Sequence, residues 1–241
     1  MKPRFLVLRS GERPFSADLV PELDLLEVRT HDFESLEPDG PAGDFDLVLF
    51  TSAPAVERFL VRDQLTGRVG GRTTVYAVGP ATAELLRRGG IATVHDGGGS
   101  VRSLLENLPK DLAGARVLFP RGEDADDELP RELAARGAGV VTVTLYRKTP
   151  VPYDAALDGE IASRPPAVFF ATSSSAARWF FDGASPDSAG QLRAIPAVAL
   201  GEPTEAAFVS YGVERVEIVR PPTFESAARL AVRLAAAGPA A

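Results

Sequence analysis

The sequence predicts an α/β fold with parallel sheets, on three observations. Short β-rich runs alternate with Ala/Leu/Arg-rich helical patterns along the chain. Many of the runs are continuous Val/Leu/Phe stretches, as strands buried on both faces are. Strand, short loop and helix recur in that order, the arrangement of parallel strands joined by crossover helices.

Strands are expected at Phe5–Arg9, Leu25–Arg29, Asp46–Phe50, Thr74–Val78, Arg116–Phe119, Val140–Tyr146, Ala167–Ala171, Ala197–Leu200 and Val216–Val219. The first helix, Ala53–Val61, starts after Thr51-Ser52, which cap it, with Pro54 in its first turn. Ala81–Gly89 follows a Gly79-Pro80 turn. Ser100–Leu108 is capped by Ser100 after the loop Gly97-Gly98-Gly99. Asp126–Arg136 opens within the acidic run Glu123–Glu128, whose charges suit a helix N-terminus. Ser174–Phe181 follows Thr172-Ser173, Pro203–Tyr211 follows Gly201-Glu202, and Phe224–Ala237 closes the series. Trp179, Phe180 and Phe181 read as core. His31 and His95 read as solvated loop residues.

An internal repeat sharpens the reading. FDLVLFTSAPAVERFL (45–60) resembles PAVFFATSSSAARWFF (166–181), with Thr51-Ser52 on Thr172-Ser173, 121 residues on (172 − 51). YAVGPATAELLRRGG resembles AVALGEPTEAAFVSYG, with Gly79 on Gly201, 122 residues on (201 − 79). FLVLRSGE resembles RVLFPRGE, with Gly11 on Gly122, 111 residues on (122 − 11). A repeat this long is a duplicated domain. A tandem split falls near Pro109–Gly114. A swapped arrangement instead crosses at the linker-like stretches Thr30–Asp44 and Arg147–Asp154. The repeat is compatible with both.

Composition narrows the function. Hydrophobic residues at 45% and charged residues at 24% belong to an ordinary globular protein. No run of about 18 apolar residues predicts a membrane helix. The apolar run Phe5–Leu8 is far shorter than a signal-peptide core, so the chain is expected in the cytoplasm. Zero cysteines exclude thiolate catalysis and zinc–thiolate sites, and two distant histidines speak against a metal centre. A net charge of −7 makes nucleic acid a poor partner.

The chemistry lies at the ends of the expected strands. Thr51-Ser52, Ser173-Ser174-Ser175, Gly79 with Thr82, and Gly201 with Thr204 each open a helix. A hydroxyl there is a cap, and the same layout leaves N–H groups and the positive dipole end for an anion. Arg9-Ser10-Gly11-Glu12 and Arg121-Gly122-Glu123 add a third pair. All fall at carboxyl ends of parallel strands, where open α/β sheets bind ligands. Tyr146 ends its strand at a candidate hinge and is a neutral proton donor at pH 7. No GxSxG, HExxH or GxxxxGK[ST] motif occurs.

The set LVLFTSAPAVERF, YAVGPATAELLRRGGI, VLFPRGEDADDELPRELAARGAGVVTVTLYRKTP, VFFATSSSAARWF and ALGEPTEAAFVSYG resembles the uroporphyrinogen-III synthase family, from about Phe5 to Ala237. The resemblance implies two similar parallel-sheet domains flanked by helices, with a two-stranded linker and a ligand cleft between them. It selects the swapped arrangement: 1–30 plus 151–241 as one domain, 35–146 as the other, and linkers near 30–35 and 147–152. It implies cyclisation of hydroxymethylbilane to uroporphyrinogen III, with inversion of ring D and loss of water, without metal or organic cofactor. The partner is that small-molecule substrate, handed over from hydroxymethylbilane synthase to a monomer. Tyr146 matches the tyrosine proposed to assist hydroxide departure. Thr51, Ser52, Thr82, Ser174 and Thr204 match hydroxyl positions of the cleft, and Arg121 and Arg9 are the arginines for substrate carboxylates. The turn Gly201-Glu202-Pro203-Thr204 departs from the commoner GPTT, and RSGE from the commoner RP-type turn. A non-catalytic tetrapyrrole- or polyanion-binding relative is the alternative.

Overall fold

The computed structural model describes residues 1–11 and 14–237. The chain divides into two compact units, 1–32 with 149–241, and 33–148.

The first unit contains β1 (Arg4–Ser10), most of β2 (Asp24–Ser35), β8 (Val168–Ala171), β9 (Ala197–Ala199) and β10 (Val216–Ile218). Their order is β2-β1-β8-β9-β10, with β1 parallel to β2 and β8, and β9 parallel to β8 and β10. The second unit contains β3 (Leu47–Phe50), β4 (Thr74–Ala77), β5 (Val94–Asp96), β6 (Arg116–Gly122) and most of β7 (Gly139–Pro150). Their order is β7-β6-β3-β4-β5, again with parallel neighbours.

Both orders are the doubly wound pattern 2-1-3-4-5. In the first unit the strands follow that order along the chain. In the second, β6 and β7 take positions 1 and 2 although they come last. The second unit is therefore a circular permutation of the first. Each has one switch point, between β1 and β8 or between β6 and β3.

Period-2 alternation sends side chains to opposite faces. In β1, Leu6 and Leu8 join one core while Phe5 and Val7 join another. In β3, Val48 and Phe50 face one core, and Leu47 and Leu49 a second. Helices cover each face. In the second unit α1 (Ala53–Leu60), α2 (Asp63–Thr66) and α3 (Pro80–Arg88) supply one core, and α4 (Val101–Asn107) with α5 (Glu128–Ala135) the other. In the first unit α6 (Ala156–Ser163), α7 (Ser174–Gly183), α8 (Pro186–Arg193) and α9 (Glu202–Ser210) lie against one face, and α10 (Phe224–Ala237) against the other. Complete burial of one Leu or Phe contributes about 1.5–3 kcal/mol.

Several expectations need correction. β2 and β7 run past their expected ends at Arg29 and Tyr146, through Ser35 and Pro150, with Leu36 N–H donating to Leu145 O and Val151 N–H to Thr30 O, each at 2.9 Å. His31 is not a solvated loop residue. It lies in β2, fully buried, with Nδ1 3.0 Å from Thr30 Oγ1 and its ring edge-on to Trp179 at 4.3 Å. Trp179 is half-buried rather than core. Short helices α2, α6 and α8 were not expected.

Candidate functional site

The ends of β3 and β6 meet Tyr146 of β7. A bulge in β7 sets Gly122 opposite Tyr146, where uninterrupted register would give Leu145. The backbone reconnects when Glu123 N–H donates to Tyr146 O at 2.9 Å. The displaced ring leans over Gly122: a Cβ there would sit 2.6 Å from the phenol Cζ and 2.8 Å from its oxygen. A missing side chain is therefore a condition of this ring position.

The phenol oxygen lies 3.2 Å from Ser52 Oγ. Ser52 ends the β3 connection with extended backbone and also caps α1, accepting from Ala55 N–H at 3.4 Å. Pro54 occupies the first turn, as its fixed φ favours. Tyr146 is 5% exposed, and Phe33 meets its ring edge-on at 5.4 Å. Burial pushes the phenol above its ordinary value of 10 and nearby Asp124 adds to this, while the Ser52 hydrogen bond and Arg58 pull the other way. The group is a protonated donor across the physiological range.

The other expected residues of this unit stand near strand ends. Thr51 follows β3, half-buried. Gly79 is the N-cap of α3, and Thr82, 7% exposed, is in its first turn. Gly79 has extended backbone at φ −160°, and a Cβ there meets the Gly99 backbone, Cα at 3.4 Å and N at 3.8 Å. Arg121, 9% exposed, is paired to Asp127 at 2.6 Å. That pairing holds the Asp127 carboxyl below its usual range.

In the first unit Ser173 caps α7 through Ala176 N–H at 3.1 Å, with Ser174 and Ser175 half-buried beside it. Thr172 Oγ1 is buried without a hydrogen-bond partner among the described residues. Gly201 caps α9 with φ −177°, and Thr204, 5% exposed, lies in its first turn. Arg9 is held by Glu27 at 2.6 Å and by Gly11 O. Glu12 lies outside the described residues.

The two units correspond residue by residue. β1 and β2 carry the same bulge as β6 and β7, pairing Ser10 with His31 as Gly122 pairs with Tyr146. Gly11 N–H donates to His31 O at 2.8 Å, as Glu123 does to Tyr146. The register therefore sets Arg9 on Arg121 and Ser10 on Gly122, one residue away from the sequence pairing of Gly11 with Gly122. His31 is the counterpart of Tyr146, Ser173 of Ser52, and Trp179 of Arg58. The positions correspond while the side chains at them differ.

A cavity of about 630 Å³ lies in the first unit, lined by β2, the segment Pro150–Asp154, Trp179 and α6. None of the expected site residues line it. Among the described residues there is no group of three side chains suited to a metal ion, and no helix long and apolar enough to cross a membrane. Sequence reasoning missed Arg58 and Phe33 around Tyr146, and placed Gly122 at a strand end without its partner ring. The alternation of Gly122 and Tyr146 on neighbouring strand ends was the available signal.

Fold and site together define a duplicated, doubly wound α/β protein with a buried phenol–hydroxyl pair at one switch point. The family model described as uroporphyrinogen-III synthase HemD matches residues 19–229. The chain belongs to the uroporphyrinogen-III synthase family.

Among curated relatives, the uroporphyrinogen-III synthase of Synechococcus elongatus is 34% identical over 121 residues, 46% of this chain and 45% of the relative. That of Saccharomyces cerevisiae is 35% identical over 83 residues, 31% and 30% respectively. These matches span less than half of either relative. Two solved structures share the fold. A mutant uroporphyrinogen III synthase from Thermus thermophilus has a TM-score of 0.65 at 20% identity, covering 96% of this chain and 98% of that one. The uroporphyrinogen-III synthetase of Helicobacter pylori has a TM-score of 0.63 at 18% identity, covering 97% and 100%.

Proposed function

We propose that this chain is a uroporphyrinogen-III synthase, a hydro-lyase that closes hydroxymethylbilane to uroporphyrinogen III. The observation that carries the reading is Tyr146: a buried phenol, 3.2 Å from Ser52, at the β7 bulge opposite Gly122 in a chain of this family. In this reading the C–O bond of the hydroxymethyl group breaks and the Tyr146 proton goes to the departing oxygen, giving water. The ring that bore the hydroxymethyl group becomes a cationic azafulvene, and attack on its methylene by the substituted carbon of ring D gives a spiro intermediate that rearranges. The proton released as the pyrrole system is restored returns to the phenolate. General acid assistance of this kind contributes about 10²–10⁴-fold.

The two units are read as domains, connected at the crossings near 32 and 148, each presenting its own strand ends to a ligand. The eight carboxylates of the bilane meet hydroxyls and helix N-terminal N–H groups at Thr51, Ser173, Ser174, Ser175, Thr82 and Thr204. Neither backbone nor packing demands glycine at 79 or 201, since both are extended and a Cβ finds only ordinary contacts. Close approach of a ligand to the backbone does demand it. Arg121 is better placed than Arg9 to take a substrate carboxylate. Its partner Asp127 is 69% exposed, whereas Glu27 beside Arg9 is 21% exposed, so solvent screens the Arg121 pair more strongly. The chemistry is acid–base and positional, and needs no cofactor. Supply of the bilane by hydroxymethylbilane synthase and a monomeric enzyme belong to the same reading.

Purified protein given fresh hydroxymethylbilane tests it. The expected product is isomer III, formed faster than spontaneous closure. Isomer I alone, at the spontaneous rate, identifies a non-catalytic binding relative instead.

A further inference from the structure

Arg58 lies on the last turn of α1 with its guanidinium over two aromatic rings. Its Cζ is 5.4 Å from the ring centroid of Tyr146 and 5.7 Å from that of Phe33. It is fixed there by donation to Phe33 O at 2.6 Å and to Pro54 O, one turn back, at 3.2 Å. Its Nε is buried and makes no hydrogen bond among the described residues. A cation is thus held, partly desolvated, against the ring of the phenol that bonds Ser52.

We propose that Arg58 is a positioning residue that makes the Tyr146 proton transferable, by holding a fixed positive charge beside the phenolate left when the proton departs. This rests on the role given to Tyr146 above. Burial resists formation of an anion at Tyr146. Ser52 offers one hydrogen bond to it, and no charge. Other charged groups near the ring do not replace Arg58. Asp124, after β6, opposes the phenolate and is paired to Lys148 at 2.6 Å. Burial lowers the proton affinity of Arg58 and Arg62 adds to this, while Glu57, beside it on α1, and the Tyr146 phenol oppose it. Glu34 and Arg147 are paired with each other at 3.4 Å. Tyr146 is accordingly pushed up by burial and pulled down by Ser52 and Arg58.

The duplicate supports the assignment. Trp179 stands 121 residues after Arg58 (179 − 58) at the same helical position, and there the strand-end partner is His31 rather than tyrosine. The helix position is filled equally by an uncharged aromatic residue, so the fold does not require arginine there. The cation occurs in the unit that has the phenol.

The test reads the phenol directly. Tyrosine labelled with ¹³C at Cζ is titrated in wild type, Arg58→Lys, Arg58→Met and Arg58→Gln, and kcat is followed against pH in the same proteins. In the Met and Gln variants the Tyr146 phenol is expected to ionise about one pH unit or more above wild type, with kcat about tenfold lower or worse. Lysine restores most of both. The Tyr153 and Tyr211 signals stay in place. If Met is not tolerated, the Gln variant, still able to donate to Phe33 O, gives the same reading. An unmoved Tyr146 signal in the neutral variants overturns the proposal. A moved signal together with full turnover by Tyr146→Phe leaves Arg58 acting on the phenol and removes Tyr146 from the chemistry.

Discussion

Gly122 and Tyr146 are neighbours across two strands, and the space one lacks is the space the other fills. Gly122→Ala sets a methyl 2.6 Å from the ring. Its φ is not in the left-handed region, so the backbone tolerates alanine. The expected result is a folded protein whose ring has shifted from Ser52, with turnover reduced at least about tenfold. Thermal melting and steady-state rates check this; unchanged turnover means the ring position does not matter. At this scale the sequence was partly legible. Tyr146 was readable because a tyrosine ending a Val-rich strand before Arg147-Lys148-Thr149-Pro150 has an apolar body and a polar exit. Arg58 was not, because an arginine on an amphipathic helix looks solvated until the crossing backbone of Phe33 is known. His31, flanked by Thr30 and Asp32, reads as polar loop. Only the β2 register shows that it points into the unit.

Between strand and helix, hydroxyl caps were legible and short polar helices were not. Ser52, Ser100 and Ser173 each accept from an N–H three residues on. Helix α8 had a readable start, Ser185 followed by Pro186, but its polar content masked the periodicity. Helix α6 carries Gly159 and a weak apolar stripe, and its register is settled by tertiary bonds. Asp158 on α6 accepts from Tyr153 OH at 2.8 Å and from Ser185 Oγ at 2.9 Å. Hydrogen bonds from Ser188, then Tyr153 and Ser185, outweigh burial and hold its carboxyl below the usual range. A carboxyl lowered in the folded state contributes fully above its unfolded value of about 4 and loses that contribution as pH falls through the folded value. Asp158→Asn is expected to lower stability at neutral pH and to flatten its dependence below about pH 4. Denaturant midpoints against pH show it, and parallel curves for variant and wild type count against it.

For the molecule as a whole, duplication was visible in the repeats, but permutation was not, because strand order is a property of pairing rather than of sequence. The alternatives of tandem and swapped halves differ in which units the pairs β1–β2 and β6–β7 complete. Pairing of β1 with β8 gives them to the unit containing 149–241. Residues 33–148 then form a contiguous unit with cores on both sheet faces drawn from its own side chains. A fragment of those residues is expected to unfold cooperatively on heating. A non-cooperative melt indicates that it depends on the rest of the chain.

The claim on which function turns is that one duplicated strand end delivers a proton to the departing hydroxyl. Single turnover of hydroxymethylbilane by Tyr146→Phe, with the isomers separated, measures this directly. Isomer III formation slowed about 10²-fold or more, with isomer I gaining at its expense, is the predicted result. Wild-type rate and wild-type isomer ratio in a folded Tyr146→Phe protein contradict it.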